Sequence, residues 1–346
     1  MASMNKKHRA ALIGLGMAHK QHLQSLRELD DRVEIAAAYA PSPARREAFK
    51  AANPDLNVTD SLDAILADRS IDVVLLLTPP RSHLDLVERC AAAGKHVLLE
   101  KPVEVTAERA RTSVEAMDRA GRRFGIMLQY RFRSDSRKLA ETVRSGRLGA
   151  LLSGSASVRW WRAPEYFAQA GRGMKERDGG GVLLTQAIHT LDLFQSLTGP
   201  IARVAAMAAT SPLRRIDTED VVAAAVGFAN GAIGTIDATT VAYPGFPERI
   251  ELAFEKGTAV LSAGTLLIYW KEGGEERHGE TQGSGGGADP MAFSHHAHKA
   301  LIADFLDAVD QGREPEVSGR EALKVHVLIE ALLASAESGK TVTLEG

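Results

Sequence analysis

Cysteine and unbalanced charge are both scarce in this sequence. The single cysteine, Cys90, excludes a framework of intrachain disulfides, and its place in a helical pattern predicts a small packed side chain. The formal net charge of -2 gives no basis for binding nucleic acid or an anionic membrane surface. Neither kind of partner is therefore expected.

Long apolar runs are also missing, since none is long enough to span a bilayer. A basic start, residues 1–7, leads into a short apolar stretch that a glycine turn interrupts, which is not the pattern of a signal peptide. We therefore expect a cytoplasmic protein. The composition is otherwise that of soluble globular proteins: 45% of the 346 residues are hydrophobic and 25% are charged, and this length suggests two domains.

The first chemical motif is a glycine turn between a predicted strand, residues 9–13, and a helical pattern that continues to Leu29. Gly14 and Gly16 have the spacing that permits a tight turn and close approach of the backbone to a pyrophosphate at the positive end of the helix. His19 replaces the third glycine of the dinucleotide fingerprint. The strand before the turn and the helix after it supply the context that this partial fingerprint requires.

The end of the second predicted strand, residues 33–39, bears on the choice of cofactor. An acidic residue normally ends this strand and binds the ribose hydroxyls of NAD. This chain has Ala40 there, with Ser42, Arg45 and Arg46 just beyond, which favours the 2′-phosphate of NADP. The alternative is that both arginines lie on the solvated face of a helix, so NAD and NADP both stay open, with a slight tilt to NADP.

Two further predicted strands end in polar motifs. The apolar residues 71–77 precede Thr78-Pro79-Pro80 and His83, and residues 97–99 precede Glu100-Lys101-Pro102. Open α/β sheets bind their ligands at the carboxyl ends of such strands. A lysine beside a nicotinamide can stabilise a developing alkoxide or share in moving a proton. With helical patterns between the strands, these segments predict a doubly wound parallel sheet.

The chain at this point resembles the Gfo/Idh/MocA oxidoreductases, named for glucose-fructose oxidoreductase, inositol dehydrogenase and rhizopine catabolism. The glycine turn, Thr78-Pro79-Pro80 with His83, and Glu100-Lys101-Pro102 carry the resemblance together. It implies that Lys101 is catalytic at the nicotinamide and that the Thr78 loop packs on the cofactor. From the residues and the resemblance together, the predicted cofactor contacts are Gly14, Leu15, Gly16, Met17, Ala18, Ala40, Ser42, Arg45, Arg46, Thr78, Pro79, Pro80, His83, Glu100, Lys101 and Gln129.

The stretch after the last strand of this domain supplies candidates for substrate binding. The resemblance places substrate-facing residues at Gln129 and Arg131, although a structural salt bridge is the alternative for Arg131. Trp160 and Trp161 end a strand that begins near Leu151, and adjacent strand residues point to opposite faces. One tryptophan is therefore expected in the core, while the other can stack on a sugar.

A glycine run, residues 179–181, precedes a helical pattern that carries Thr185 and His189, four residues apart and so on one face. The glycines let the backbone approach a ligand closely, and Asp192 is placed to orient His189. This stretch is similar to the family's second motif, which implies an acid–base role for His189. The family commonly has an acid where this chain has Thr185, which can bind a hydroxyl but cannot share a proton.

The acid–base work then falls on His189 and Lys101. The predicted catalytic residues are Lys101, His189 and Thr185. The predicted substrate contacts are Lys101, Arg131, Trp160, Trp161, Arg172, Thr185 and His189.

The chain from residue 201 to residue 270 predicts strands joined by short turns, such as Ala229-Asn230-Gly231. The predicted strands cover residues 221–228, 232–241, 249–254, 258–261 and 266–270. We therefore expect a Rossmann domain over residues 1–128 and a C-terminal α+β domain over residues 129–346 with a large, mostly antiparallel open sheet. The C-terminal helices of this chain can pack back on the first domain. The resemblance implies helices on one face of this sheet and an intersubunit surface on the other, hence a homodimer or homotetramer.

The segment that follows this sheet is rich in glycine and then in histidine. Residues 283–287 predict a flexible linker before His295, His296 and His298. This histidine spacing defines no tetrahedral set, and no acid or thiol lies close in the sequence, so no metal site is predicted. Instead we expect a helix through Val309, and a last helix over residues 320–338 that Ser318 caps.

The sequence therefore predicts an NAD(P)-dependent oxidoreductase that moves a hydride between a sugar, cyclitol or related polyol and a nicotinamide cofactor. An NAD-dependent glycosidase that oxidises its substrate transiently shares the motifs and stays an alternative. A non-catalytic dinucleotide-binding regulator is a further alternative, because fold alone does not fix function. Such a regulator has no need of both Lys101 and His189.

Overall fold

The computed structural model of the protein describes residues 7–169, 171–280 and 294–344. Strands alternate with helices in the first part of the chain. These elements are β1 (His8–Ile13), α1 (His19–Arg27), β2 (Val33–Tyr39), α2 (Pro43–Ala52), β3 (Val58–Thr59), α3 (Leu62–Ala67), β4 (Val73–Leu76), α4 (His83–Ala92), β5 (His96–Leu99), α5 (Ala107–Arg119) and β6 (Phe124–Ile126).

The second part of the chain is dominated by strands. Its elements are α6 (Ser134–Arg144), β7 (Leu151–Arg159), α7 (Pro164–Phe167), α8 (Lys175–Asp178), α9 (Ile188–Thr198), β8 (Ile201–Ala209), β9 (Val221–Phe228), β10 (Ile233–Thr239), β11 (Arg249–Phe254), β12 (Gly257–Ser262), β13 (Thr265–Trp270), β14 (Glu275–Gly279), α10 (His296–Gln311), α11 (Gly319–Ser338) and β15 (Val342–Thr343). A π-helical turn, Leu183–Ala187, leads into α9.

The first sheet has the strand order β3-β2-β1-β4-β5-β6, and all its pairs are parallel. This is the Rossmann order, so the predicted doubly wound parallel sheet is confirmed. A parallel sheet is covered on both faces, which makes its central strands apolar throughout. All four side chains of β4 are buried, as are the last three of β5. The apolar runs before the two polar motifs are therefore buried strands.

The second sheet has nine strands in the order β14-β13-β12-β11-β7-β10-β9-β8-β15. Only the β7–β10 pair is parallel among the described pairs, so the predicted mostly antiparallel sheet is confirmed. One face is buried, and α9 packs there on β7. A Cβ at Gly154 would lie 3.2 Å from the Phe194 ring, so the glycine leaves room for that side chain.

Sequence periodicity misses some short or charged strands. The two residues of β3 are too few to show a pattern, and the five residues of β14, Glu-Glu-Arg-His-Gly, contain no apolar side chain. Both strands lie at sheet edges, where pairing with a single neighbour is sufficient. The predicted linker over residues 283–287 lies outside the described residues.

The described residues group into two compact units. The first unit runs to Leu128 and also takes in Ser294–Leu323, while the second begins at Gln129 and also takes in the chain from Lys324. The sequence boundaries place residues 294–323 in the second domain. The structure groups them with the first because α10 packs against α1 and β5.

Polar contacts fix this return of the chain within the first unit. The His8 ring, at the start of β1, lies 2.7 Å from an Asp72 oxygen and 3.0 Å from an oxygen of Asp310 on α10. The hydrogen bond to Asp72 outweighs burial and raises the pKa of His8. Ser318 accepts the Glu321 N–H at 3.3 Å and so caps the first turn of α11.

Cys90 is buried in α4, where burial raises the pKa of its thiol to about 12. Among the described residues, no helix combines the length and the apolar character that crossing a bilayer requires.

Candidate active site

The turn after β1 contains two glycines, Gly14 and Gly16, whose surroundings in the structure differ. Gly14 has a φ of +108°, donates its N–H to the Tyr39 carbonyl at 2.8 Å, and would place a Cβ 2.7 Å from the Leu77 carbonyl group. Gly14 is therefore required by the close approach of the chain after β4. A Cβ at Gly16 would meet no atom within 4 Å. No contact within the protein therefore requires glycine at position 16. A ligand that approaches the backbone at this turn would require it, because a side chain would stand in its way.

The helix that follows the turn begins without a side-chain cap. Ala18 is the N-cap residue of α1 and makes no side-chain hydrogen bond, so its side chain satisfies none of the first N–H groups. His19, at the place of the third fingerprint glycine, puts Nδ1 2.5 Å from the Gly16 carbonyl oxygen and packs edge-on against Phe49. An uncapped helix start after a glycine turn fits the pyrophosphate of a dinucleotide.

The loop after β2 is the place where cofactor choice is expected to be made. Ser42 caps α2 by accepting the Arg45 N–H at 3.4 Å, and the Arg45 side chain is exposed. Arg46 instead donates to the carbonyl oxygens of Ala40 and Pro41 at 2.7 and 2.9 Å. The two arginines therefore differ: Arg46 braces the loop, whereas Arg45 presents an exposed positive charge beside it.

His83 joins the Thr78-Pro79-Pro80 loop to the Glu100-Lys101-Pro102 loop. The ring is fully buried, with Nε2 2.8 Å from the Thr78 carbonyl oxygen and Nδ1 3.0 Å from that of Pro102. Burial lowers the pKa of this imidazole and outweighs the carbonyl hydrogen bonds that would raise it. The two sequence motifs are thus parts of one structure.

Glu100 connects the lysine motif to α1 through its side chain. Its Oε1 lies 2.7 Å from Nε2 of His22, and its Oε2 accepts the backbone N–H of Lys101 at 3.1 Å. Burial alone would raise the pKa of Glu100, but the His22 hydrogen bond and the charges of His22, Lys101 and His298 lower it to about 2. Sequence reasoning missed His22 and considered His298 only with its neighbours His295 and His296, because nothing in the local patterns signals a long-range partner.

In the second unit, a short turn after Leu128 contacts α9. Tyr130 stacks on the His189 ring with centroids 4.9 Å apart and an interplanar angle of 22°. Arg131 donates to both carboxylate oxygens of Asp192, at 2.7 and 2.6 Å, so the salt bridge considered as the alternative for Arg131 exists. Gln129 is buried in the same turn. The roles of Arg131 toward substrate and of Asp192 toward His189 stay predictions.

The glycine run before α9 makes room for the protein's own backbone. A Cβ at Gly181 would lie 1.9 Å from the Glu219 carbonyl oxygen. The Glu219 carboxylate accepts the N–H groups of Gly181 and Leu183 at 3.2 and 3.1 Å and thereby caps the π-helical turn. Burial raises the pKa of Glu219. The close approach expected for a ligand is therefore occupied at Gly181 by Glu219, which no sequence motif marks.

Thr185 and Arg172 line one small pocket in this unit, together with Tyr166 and Gln186. The Thr185 hydroxyl donates to the Gly181 carbonyl at 2.7 Å. The Arg172 guanidinium lies 5.0 Å from the centre of the Tyr166 ring. The sequence predicts Thr185 and His189 on one face of an α-helix, but Thr185 lies in the π-helical turn. His189 is not among the residues that line this pocket.

The two adjacent tryptophans have different surroundings, as predicted, although β7 ends at Arg159, just before them, and Trp161 forms only an isolated bridge with Val241. Trp160 is buried, with the Arg162 guanidinium 4.8 Å from its ring centre. Trp161 is half-buried and packs edge-on against Tyr243 at 5.6 Å. Trp160 is therefore the core residue of the pair.

Comparison with known proteins agrees with this architecture. Residues 8–128 match the model of an oxidoreductase family with an NAD-binding Rossmann fold, and residues 136–260 match that of the GFO/IDH/MocA C-terminal domain. The chain is 30% identical to a D-apiose dehydrogenase of Paraburkholderia graminis, over 98% of this chain and 90% of the relative. It is also 25% identical to a myo-inositol 2-dehydrogenase of Thermotoga maritima, and this match covers 97% of this chain and 98% of the relative.

Solved structures extend the likeness to the whole chain. The WlbA dehydrogenase of Bordetella pertussis, in complex with NADH and UDP-GlcNAcA, superposes with a TM-score of 0.84 at 29% identity, covering 99% of this chain and 100% of that one. A levoglucosan dehydrogenase in complex with NADH and levoglucosan superposes with a TM-score of 0.89, covering 99% of this chain and 100% of that one. Because the two sequences are only 20% identical, this likeness supports the fold alone. The chain therefore belongs to the Gfo/Idh/MocA family of oxidoreductases, with an NAD-binding Rossmann domain at its N-terminal end.

Proposed function

We propose that the protein is an NAD(P)-dependent dehydrogenase that moves a hydride between the carbinol carbon of a sugar, cyclitol or related polyol and C4 of the nicotinamide. One observation carries the proposal: the glycine turn, the Thr78 loop and Lys101 follow β1, β4 and β5, which are neighbours in one parallel sheet. Their carboxyl ends share one edge, where such sheets bind dinucleotides. The named activities of the apiose and inositol dehydrogenases support the substrate class.

The acid–base roles fall on two residues. His189 takes the proton of the substrate hydroxyl, because histidine as a residue type exchanges protons near neutral pH. Lys101 stabilises the alkoxide that forms as the proton leaves, and departure of the hydride from the carbinol carbon then converts this alkoxide into a carbonyl group. His83 lies between the two loops: its buried ring has one nitrogen within hydrogen-bond distance of a carbonyl oxygen of each loop, and a neutral imidazole donates to one of them.

The remaining predicted contacts hold the polyol. Thr185 binds a substrate hydroxyl, and Arg172 shares its pocket. Arg131 contacts the polyol while its guanidinium is held by two hydrogen bonds to the Asp192 carboxylate. Trp161 is a better candidate than Trp160 for stacking on a sugar, because Trp160 is buried in the core.

Loss of either acid–base group tests the chemistry. Lys101→Ala and His189→Ala should each lower kcat by about a hundredfold to ten-thousandfold, while NADH affinity stays close to that of the wild type. The double variant should lose less than the product of the two single losses, because groups that act as one unit are not additive. A screen of sugars and cyclitols, followed at the absorbance of reduced nicotinamide, supplies the substrate for these rates.

Deuterium at the carbinol carbon provides the control, since a slower hydride step raises the isotope effect on kcat toward its full value. Near-normal turnover in a single variant would show that residue to be structural. Cleavage of a glycoside without release of free reduced cofactor would instead favour the glycosidase alternative.

The glycine turn predicts a variant that folds but binds cofactor poorly. Gly16→Val adds a branched side chain where no protein atom lies within 4 Å, so the melting temperature should hold. Calorimetric titration should show NADH affinity reduced by at least about tenfold, because the side chain blocks the approach of the pyrophosphate. Gly14→Ala is the matched control: the strained φ and the contact with Leu77 should destabilise the fold itself. Unchanged cofactor affinity in folded Gly16→Val would exclude this binding mode.

Cofactor preference follows from the loop after β2. We infer that NADPH binds at least comparably to NADH, because Ala40 replaces the usual acid and Arg45 is exposed beside it. Arg45→Ala should weaken NADPH binding about tenfold and leave NADH nearly unchanged, since a charge-assisted hydrogen bond contributes roughly 1.5–3 kcal/mol. Ala40→Asp should also move the ratio toward NADH.

Arg46→Ala is the comparison variant for this loop. Because Arg46 braces the backbone at Ala40 and Pro41, its loss should weaken both cofactors alike. Strong rejection of NADPH by the wild type would contradict the inference.

We also infer a homodimer or homotetramer of this cytoplasmic enzyme, built on the outer face of the nine-stranded sheet. Neighbouring strands place small side chains in register there, with Ala205 beside Ala225 and Ala225 beside Thr235. Met207 and Ile233 on the same face are 79% and 63% exposed. A flat apolar surface of this kind is typical of protein–protein contacts.

Sedimentation equilibrium should give two or four times the chain mass of 37.1 kDa. Ala225→Arg should lower that mass, because a buried unpaired charge opposes association. Ala51→Arg, on an exposed part of α2, should not. A wild-type mass of one chain would refute the oligomer.

A further inference from the structure

One buried cluster in the first unit is not used by the chemistry proposed above. His22 of α1, Glu100 at the end of β5 and His298 of α10 bring side-chain nitrogen and oxygen atoms within 4.8 Å of one another. His22 and His298 are 1% and 3% exposed. Their rings meet edge-on with centroids 5.4 Å apart. Three elements from distant parts of the chain therefore converge beside Lys101.

The carboxylate of Glu100 divides its two oxygens between two elements. Oε1 lies 2.7 Å from Nε2 of His22, and Oε2 accepts the Lys101 N–H at 3.1 Å. Hydrogen bonds to an ionised carboxylate are stronger than neutral ones, and burial strengthens them further. The backbone of Lys101 is therefore tied to the second turn of the helix that follows the glycine turn.

Two imidazoles and a carboxylate also form a set that Zn²⁺ accepts. The geometry argues against that use. A 2.7 Å separation between His22 Nε2 and Glu100 Oε1 is a direct hydrogen bond, whereas zinc ligands stand about 2.0–2.2 Å from the metal on separate sides of it. The second oxygen of Glu100 is engaged by Lys101, and the Lys101 charge acts on the same carboxylate.

We propose that His22 and Glu100 are positioning residues for Lys101: His22 fixes the Glu100 carboxylate, and the carboxylate fixes the Lys101 backbone so that the ammonium is held at the substrate. The His298 ring packs edge-on against the His22 ring. The inference rests on the proposed catalytic role of Lys101. It adds that two groups which do not contact the reacting atoms set the rate of the hydride step.

Four variants of the full-length protein test this assignment. His22→Phe keeps the ring but removes the donor, and Glu100→Ala removes the carboxylate. Both should lower kcat by about a hundredfold, the loss typical of a reacting group misplaced by about 1 Å. KM and the NADH dissociation constant of His22→Phe should each change by less than about threefold, because His22 is not among the predicted contacts of cofactor or substrate.

Glu100→Gln should restore most of the lost rate. Its amide oxygen can still accept the Lys101 N–H, and its amide nitrogen can donate to the His22 ring when the facing nitrogen carries no proton. His298→Phe is the comparison variant for His22→Phe: it keeps the edge contact and leaves the hydrogen bond between His22 and Glu100 in place, so it should lose less kcat than His22→Phe. This pair decides the question even if Glu100→Ala fails to fold.

The outcomes separate this inference from the proposed function. If Lys101→Ala turns over normally, the catalytic assignment itself fails. If Lys101→Ala is inactive while His22→Phe keeps its kcat, or loses kcat only in step with KM and cofactor affinity, the positioning role is overturned and the catalytic one stands. A rate that zinc chloride raises and EDTA abolishes, with His298→Phe as impaired as His22→Phe, would replace the positioning role with a metal site.

Discussion

Parallel pairing of β1, β4 and β5 is the constraint on which the first unit depends. Because the three strands are neighbours and point the same way, their carboxyl ends bring together the glycine turn, the Thr78 loop and Lys101, which are widely separated in sequence. The strands stay in place because they are apolar and buried on both faces. The polar residues at this edge are therefore positioned by a core of apolar side chains that take no part in the reaction.

Polar contacts then remove the remaining freedom of the loops at that edge. The His83 ring lies within hydrogen-bond distance of carbonyl oxygens of two loops and can donate to one of them, and Glu100 ties the lysine loop to α1. Burying these groups is costly unless each is paired. The cost is met here by hydrogen bonds, which also fix the geometry. A loop on the surface of a Rossmann sheet would otherwise sample several conformations, and the ammonium group of Lys101 would sample them with it.

Sequence reasoning predicts those parts of this protein whose signals are local. Apolar runs, glycine spacing and polar strand ends identify the Rossmann sheet, the cofactor turn and Lys101, because each depends on a few consecutive residues. His22 could not be found in this way, since its partner Glu100 lies 78 positions away. Glu219 likewise caps a turn 36 to 38 positions before it. Its carboxylate binds N–H groups at the start of the π-helical turn, which a regular helical pattern does not predict.

The glycines show why a motif and its purpose must be separated. Gly14, Gly16 and Gly181 all suggest close approach of a ligand in the sequence, yet Gly14 makes room for the chain at Leu77 and Gly181 for Glu219. Only at Gly16 does no protein atom stand near the missing side chain. A glycine that the fold does not need, beside a helix start without a side-chain cap, is better evidence for a ligand than glycine spacing alone, because the protein itself leaves it unexplained.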